Sequence, residues 1–246
     1  MIELHKAYIS QAIYVASNVL DKRIRYKQES AEDAFGSFIS AQSQQTNLPD
    51  DFDPTQPRLL FQAGQKQIFI SQIATQLSLG FESAAKPLSA QIGIVHKNSR
   101  EFHKKILQFR PKESLSDSAL IVVLSFPSEA SRDDLSRFIF EKFLKMPPYA
   151  DIASSSVKVG YRLPSGIFLN IEADVYERRG GIIENMGSTI DLNTLPIVEM
   201  GISVKLDVNT RPKSVVEGYI NEGPEELIAV MDKYLPSEIF KLIDLK

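Results

Sequence analysis

Three stretches in the C-terminal half alternate apolar and polar side chains almost without error, and this pattern constrains the fold more than any other feature. They run from Val157 to Leu163, from Ile167 to Tyr176 and from Val198 to Val208. Val157, Val159, Tyr161 and Leu163 share one side, opposed by Lys158, Gly160 and Arg162. Ile167, Leu169, Ile171, Ala173 and Val175 oppose Asn170, Glu172 and Asp174, and Val198 to Val208 repeats the pattern against Glu199, Ser203, Lys205 and Asp207. A period of two means β-strands with one dry and one wet face. Strands of that kind build an antiparallel sheet covered on one side only.

The rest of the chain supplies further strands and the cover. Residues 7–20 fit both a helical stripe and a strand, and their β-branched content favours the strand. Ser30 and Asp33 have capping-box spacing ahead of Ala34, Phe35, Phe38 and Ile39, which predicts a helix opening at Ser30. Residues 40–57 hold turn formers, amides and prolines and read as a long surface loop of the mobile or functional kind. Arg58 to Phe61, Gln67 to Ile73, Gln76 to Phe81 and Ala90 to Val95 read as short strands. Asn98 or Ser99 then caps a helix that buries Phe102, Ile106 and Phe109 and stops before Pro111. The run Ala119 to Leu124 within Ser118 to Phe126 predicts a strand buried on both faces. Ser131 and Asp134 cap a helix carrying Leu135, Phe138, Ile139, Phe143 and Met146, stopped by Pro147 and Pro148. Pro164, Ser165 and Gly166 join two strands as a hairpin turn. Pro224 takes the first position of a helix bearing Leu227, Ile228, Val230 and Met231, and a break at Pro236 leads to a last short helix through Leu242 and Ile243.

The predicted class is α+β, an antiparallel β-sheet with helices mainly on one face. It divides into an N-terminal half, 1–112, and a C-terminal half, 113–246. Each half reads strand, helix, strands, helix, an echo of order without a residue-level repeat, and the two together are open to forming one continuous sheet. The chain has 246 residues and a net charge of -3, so charge gives no global reason to expect nucleic acid. Having no cysteine, it can form no disulfide, thiolate metal site or cysteine nucleophile. No apolar run reaches the length of a membrane span, and the first residues lack the pattern of a signal peptide. The expected location is cytoplasmic, with no membrane association.

The opening KAYISQAIYV, the segment PRLLFQAGQKQIFISQIATQLSLGF and the late strand GISVKLDVNT resemble landmarks of a sporadically distributed family of uncharacterised bacterial proteins of similar length. The resemblance implies a bacterial accessory protein of mobile-element type. It carries over no catalytic residues.

Candidate chemistry is sparse. His5, His96 and His103 have no metal-ligand spacing, so the simple reading is three satisfied or surface histidines. Glu172, Asp174 and Asp207 share a wet face on which paired carboxylates could bind a divalent cation, but Lys158, Arg162 and Lys205 share it too and favour surface ion pairs. The segment 97–112 carries Lys97, Arg100, Lys104, Lys105, Arg110 and Lys112, a stripe suited to phosphate contacts or simply a solvated helix face. Arg178 and Arg179, read as lying on the long connection 177–196 with Gly180 and Gly181, are partner-contact candidates because arginine is enriched at hot spots. The glycines there precede Ile182, Ile183, Met186, Gly187 and Ser188 and show no phosphate-binding motif. No catalytic, cofactor or metal set emerges. The expected function is therefore non-enzymatic protein binding or regulation through the exposed sheet face and the loops 40–57 and 177–196, with Arg178, Arg179, Lys104, Lys105, Glu172, Asp174 and Asp207 as contact residues. The alternatives are a metal-assisted enzyme using the sheet carboxylates and a nucleic-acid binder using the basic helix. Self-association through a sheet edge is a further expectation.

Overall fold

The computed structural model describes residues 6–82, 85–144, 147–180, 194–235 and 239–242. Strand β1 (Tyr8–Asn18) leads through a 3-10 turn, Ile24–Lys27, into α1 (Gln28–Ile39). The two-residue β2 (Gln44–Gln45), β3 (Leu59–Ala63), β4 (Lys66–Ile70), β5 (Ala74–Gly80) and α2 (Leu88–Phe109) complete the first half. The second half holds β6 (Leu115–Pro127), α3 (Arg132–Phe143), β7 (Ser156–Arg162), β8 (Phe168–Arg179), β9 (Ile197–Asn209), the short α4 (Arg211–Ser214), α5 (Glu225–Lys233) and α6 (Ile239–Leu242).

The nine strands among the described residues form one sheet in the order β2-β3-β4-β5-β1-β6-β9-β8-β7, and every neighbouring pair is antiparallel. In each half the first strand lies beside the last, giving β3-β4-β5-β1 and β7-β8-β9-β6. The two first strands, β1 and β6, pair at the centre and make the sheet continuous. The likeness of the halves is one of connection order and not of sequence.

One line of paired residues shows which face is covered. Phe61, Ile68, Leu77, Tyr14, Leu120, Val208 and Leu169 are consecutive cross-strand partners, and all are buried. Helices lie on this side: Phe35 of α1 meets Phe61 edge-on at 6.2 Å, and Phe102 of α2 meets Tyr14 at 6.3 Å. Leu135 and Ile139 of α3, and Leu227, Ile228 and Met231 of α5, join the same contiguous core. Burial of apolar area on this face is the main stabilising term.

Local signals place several boundaries where the sequence predicts them. Ser131 Oγ accepts from the Asp134 N–H at 3.2 Å and caps α3. In the β7–β8 hairpin the Gly166 N–H donates to Leu163 O and the Leu163 N–H to Ile167 O, with Gly166 at φ 80°. This is a three-residue loop whose left-handed position suits glycine.

Other expectations need correction. Ala90 to Val95 is not a strand, and the helix does not start at Asn98 or Ser99; α2 runs unbroken from Leu88. Its buried residues Gln91, Val95, Ser99, Phe102, His103 and Ile106 follow helical spacing. Three of them, Gln91, Ser99 and His103, are polar, which masks the stripe in the sequence. Gln91 Oε1 accepts from the Ile9 N–H at 2.6 Å. Ser30 does not open α1; the 3-10 turn feeds the helix from Gln28. Pro224 occupies the N-cap rather than the first helical position. β6 is fully buried on one face only, with Ala119, Ile121 and Val123 half-buried on the other. The expectations for His5, Met146, Gly181, the residues 182–188, Pro236 and Ile243 lie outside the described residues.

Candidate functional site: the open face of the sheet

The face turned away from the helices is built from the residues between the buried ones. Its central line runs Gln62, Gln67, Ser78, Ile13, Ile121, Asp207, Asn170 and Gly160, each paired with the next. A second line runs Leu60, Phe69, Gln76, Val15, Ala119, Asn209, Phe168 and Arg162. A third places Gln11 beside Val123, then Lys205, Glu172 and Lys158. The surface therefore has three zones. Amides lie over β3 to β5, with Leu60 and Phe69 toward the edge. A half-buried aliphatic strip of Ile13, Val15, Ala119, Ile121 and Val123 lies over the two central strands. Charged groups lie over β7 to β9.

The charged zone settles the geometry of the sheet carboxylates. Glu172 sits between Lys158 at 3.9 Å and Lys205 at 3.8 Å. Asp207 accepts from Asn170 Nδ2 and Asn209 Nδ2, both at 3.1 Å. Asp174 turns to its own strand and accepts from the Val175 N–H. The three carboxylates thus have three separate sets of partners, and among the described residues no group of three or more acidic or histidine ligands could hold a metal ion.

Where β6, β8 and β9 end together, the open face carries a hydrogen-bonded cluster that the sequence does not reveal. Glu199 Oε1 accepts from Tyr8 Oη at 2.5 Å and from Tyr176 Oη at 3.0 Å, and its Oε2 meets Arg178 Nη2 at 3.2 Å. Burial, reinforced by the carboxylate, pushes both phenols above their ordinary range, so each stays a donor. A register shift between Ile9 and Gln11 puts Tyr8 on this face, opposite Ser125. Tyr176 lies opposite Gly201, where a Cβ would come 2.1 Å from Phe126 O. Glycine permits the close approach of β9 to β6 there. These residues are far apart in the chain, and only strand pairing joins them.

Arg178 and Arg179 do not sit on a free loop, because β8 continues through both. Arg178 is held by Glu199, and Arg179 by Glu177 at 2.8 Å and by Leu195 O. Of the connection 177–196, residues 181–193 lie outside the described residues. The basic segment 97–112 is likewise divided. Arg100 forms a two-pronged pair with Glu225, Lys97 approaches Glu101 at 4.0 Å, and Lys105 donates to Gln108. Arg110 is buried and pairs with Asp21 at 3.3 Å. Lys104 remains exposed on α2, on the helix side and away from the open face.

The loop 40–57 is pinned rather than loose. Arg58, fully buried, donates to the carbonyls of Pro49, Phe52, Asp53 and Gln56. An arginine fork satisfies several loop carbonyls at once, and Gln72 Nε2 adds a bond to Asp50 O.

Under the helices lies one buried titratable pair. Tyr14 Oη and His103 Nδ1 are 2.9 Å apart, and Gly223 packs against the imidazole so closely that a Cβ would meet it at 2.7 Å. Burial and the Lys112 cation lower the His103 pKa, and burial raises that of Tyr14, so a neutral phenol meets a neutral ring. A cavity of about 720 Å³ opens beside this region between Thr210, Lys213, Tyr219 and Glu226, with Lys213 and Glu226 ion-paired.

No family model, curated protein or solved structure matches the chain. No helix among the described residues is long and apolar enough to cross a membrane.

Proposed function

We propose that this chain is a non-enzymatic protein-binding module whose contact surface is the open face of the sheet. The observation that supports this most is the aliphatic strip of Ile13, Val15, Ala119, Ile121 and Val123, which no layer among the described residues covers in the middle of a nine-stranded sheet. Apolar groups at the centre with amides and charges around them match the anatomy of a protein interface, in which a desolvated core is ringed by a polar rim. The Lys158–Glu172–Lys205 group and the Tyr8–Tyr176–Glu199–Arg178 cluster belong to that rim, and their interlocked bonds fix the surface before a partner arrives.

The test compares baits that differ only in the surface they present. Wild type, Ile121→Gln and Lys205→Glu on the open face, and the helix-side double variant Lys104→Glu with Lys105→Glu, are used for capture after matched thermal melts. The reading predicts proteins retained by wild type and the helix-side variant but lost with both open-face variants. Identical capture by all four baits would overturn it.

A further inference from the structure

The two edges of the sheet are finished differently. One ends in β2, only two residues long, beside the loop pinned by Arg58. The other ends in β7, seven regular residues with no proline and no register shift against β8. The sequence predicts that Val157, Val159 and Tyr161 lie on a dry face, yet at this edge Val159 is 41% exposed and Tyr161 47% exposed. Among the described residues, side chains patterned for burial thus stand uncovered beside an unpaired backbone. Edge strands normally avoid that combination.

We propose that β7 pairs antiparallel with β7 of a second copy of this chain, about a two-fold axis at Val159. The direction of the backbone groups and the order of side chains both select this register. The Leu163 N–H points inward to Ile167 O. N–H and C=O groups alternate in direction along a strand, so those of Tyr161, Val159 and Val157 also point toward β8. The groups of Ser156, Lys158, Gly160 and Arg162 face outward and are the ones a second strand would bond. Centring the axis on Val159 sets Val159 against Val159, Val157 against Tyr161, Lys158 against Gly160 and Ser156 against Arg162. Apolar side chains then cover one another on the helix side. On the open face each lysine lies opposite a residue without a side chain, and Glu172 remains beside it at 3.9 Å. Moving the axis to Lys158 opposes two lysines, and moving it to Gly160 opposes Lys158 to Arg162. Like charges directly across a ladder are unfavourable. The cations on this edge therefore disfavour the neighbouring registers while allowing one. The result is a self-complementary contact of the isologous kind. It uses the edge and not the open face, so it stands apart from the proposed partner contact.

The chain has no cysteine, which gives a clean test. In the proposed register the two Val159 residues form a non-hydrogen-bonded pair with Cα atoms about 4.5 Å apart, within disulfide reach. The two Tyr161 residues are offset by four positions, about 13 Å along the strands, and cannot be bridged. Sedimentation equilibrium up to the millimolar range should show association toward twice the 27.6 kDa chain mass. Under mild oxidation Val159→Cys should cross-link at least tenfold faster than Tyr161→Cys. Gly160→Lys places a lysine opposite Lys158 of the second copy. A Cβ at this position would meet only the terminal oxygen of Asn170, at 2.9 Å, an end that can turn aside, so the fold should melt close to wild type while association is lost. A chain that stays monomeric throughout, or cross-linking of Val159→Cys no faster than that of Tyr161→Cys, would overturn the proposal. The second outcome, if association persists, assigns the contact to another surface or register.

Discussion

Leu120 and Ile121 are neighbours in the central strand β6, similar in size and hydrophobicity, and they meet opposite fates. Leu120 lies under the helix layer with no exposed surface, and its line across the sheet is apolar from β3 to β8. Ile121 is half-buried, and within two strands its line passes from Ile13 to Ser78 on one side and from Asp207 to Asn170 on the other. The difference teaches that apolar character in a strand specifies a face but not a cover. On the covered central line every residue from β3 to β8 is apolar. On the matching open-face line only Ile13 and Ile121 of the two central strands are.

The largest contrast should come from truncating these neighbours separately. Leu120→Ala removes side-chain volume from a closed core and should cost about 2–5 kcal/mol in denaturant unfolding, against about 1 kcal/mol or less for Ile121→Ala. Equal losses would mean that the open face is covered after all. Next in size is Gly201→Ala, whose new methyl would meet the Phe126 carbonyl at 2.1 Å. Strain of that kind should cost about 1–3 kcal/mol, with the Tyr8 and Tyr176 ring resonances shifting as the cluster around Glu199 is displaced.

A pH series sharpens the comparison from the covered side. His103 lies neutral beneath the helices, its pKa lowered by burial and by Lys112. The unfolded chain takes up a proton as pH falls through about 6.5, while the folded chain resists. Stability should therefore be full above that pH and fall as the pH drops from it toward the lower folded pKa. His96 shifts in the same direction through burial, opposed by Asp232, so His103→Gln should reduce the slope without abolishing it. The smallest effect belongs to the open face. Glu172→Gln breaks exposed pairs with Lys158 and Lys205 and should cost under about 1 kcal/mol, less at high salt.

Much of the architecture is legible in the sequence because local rules govern it. The alternation in β7 to β9 gives their faces, Gly166 gives the hairpin, and Ser131 gives the start of α3. The one-sided α+β sheet follows from the same signals. Alternation does not say whether a face is covered, and so β7 looks dry on the side where Val159 and Tyr161 are exposed. The Ala119 to Leu124 run looks buried on both sides for the same reason. Long-range pairing is the other gap. Tyr8, Tyr176 and Glu199 meet only because β1, β6, β9 and β8 are neighbours and a register shift turns Tyr8 over. Arg58 gathers carbonyls from a loop whose composition alone suggests mobility.

In the free chain, one face of the sheet is covered by helices and the other is bare among the described residues. Relaxation of methyl groups by a soluble paramagnetic agent reads this directly. Along β6 the effect should alternate, strong at Ile121 and Val123 and weak at Leu120, Val122 and Leu124, with Ile13 and Val15 matching the strong set and Val204 and Leu206 the weak. Uniform protection of both sets would contradict it.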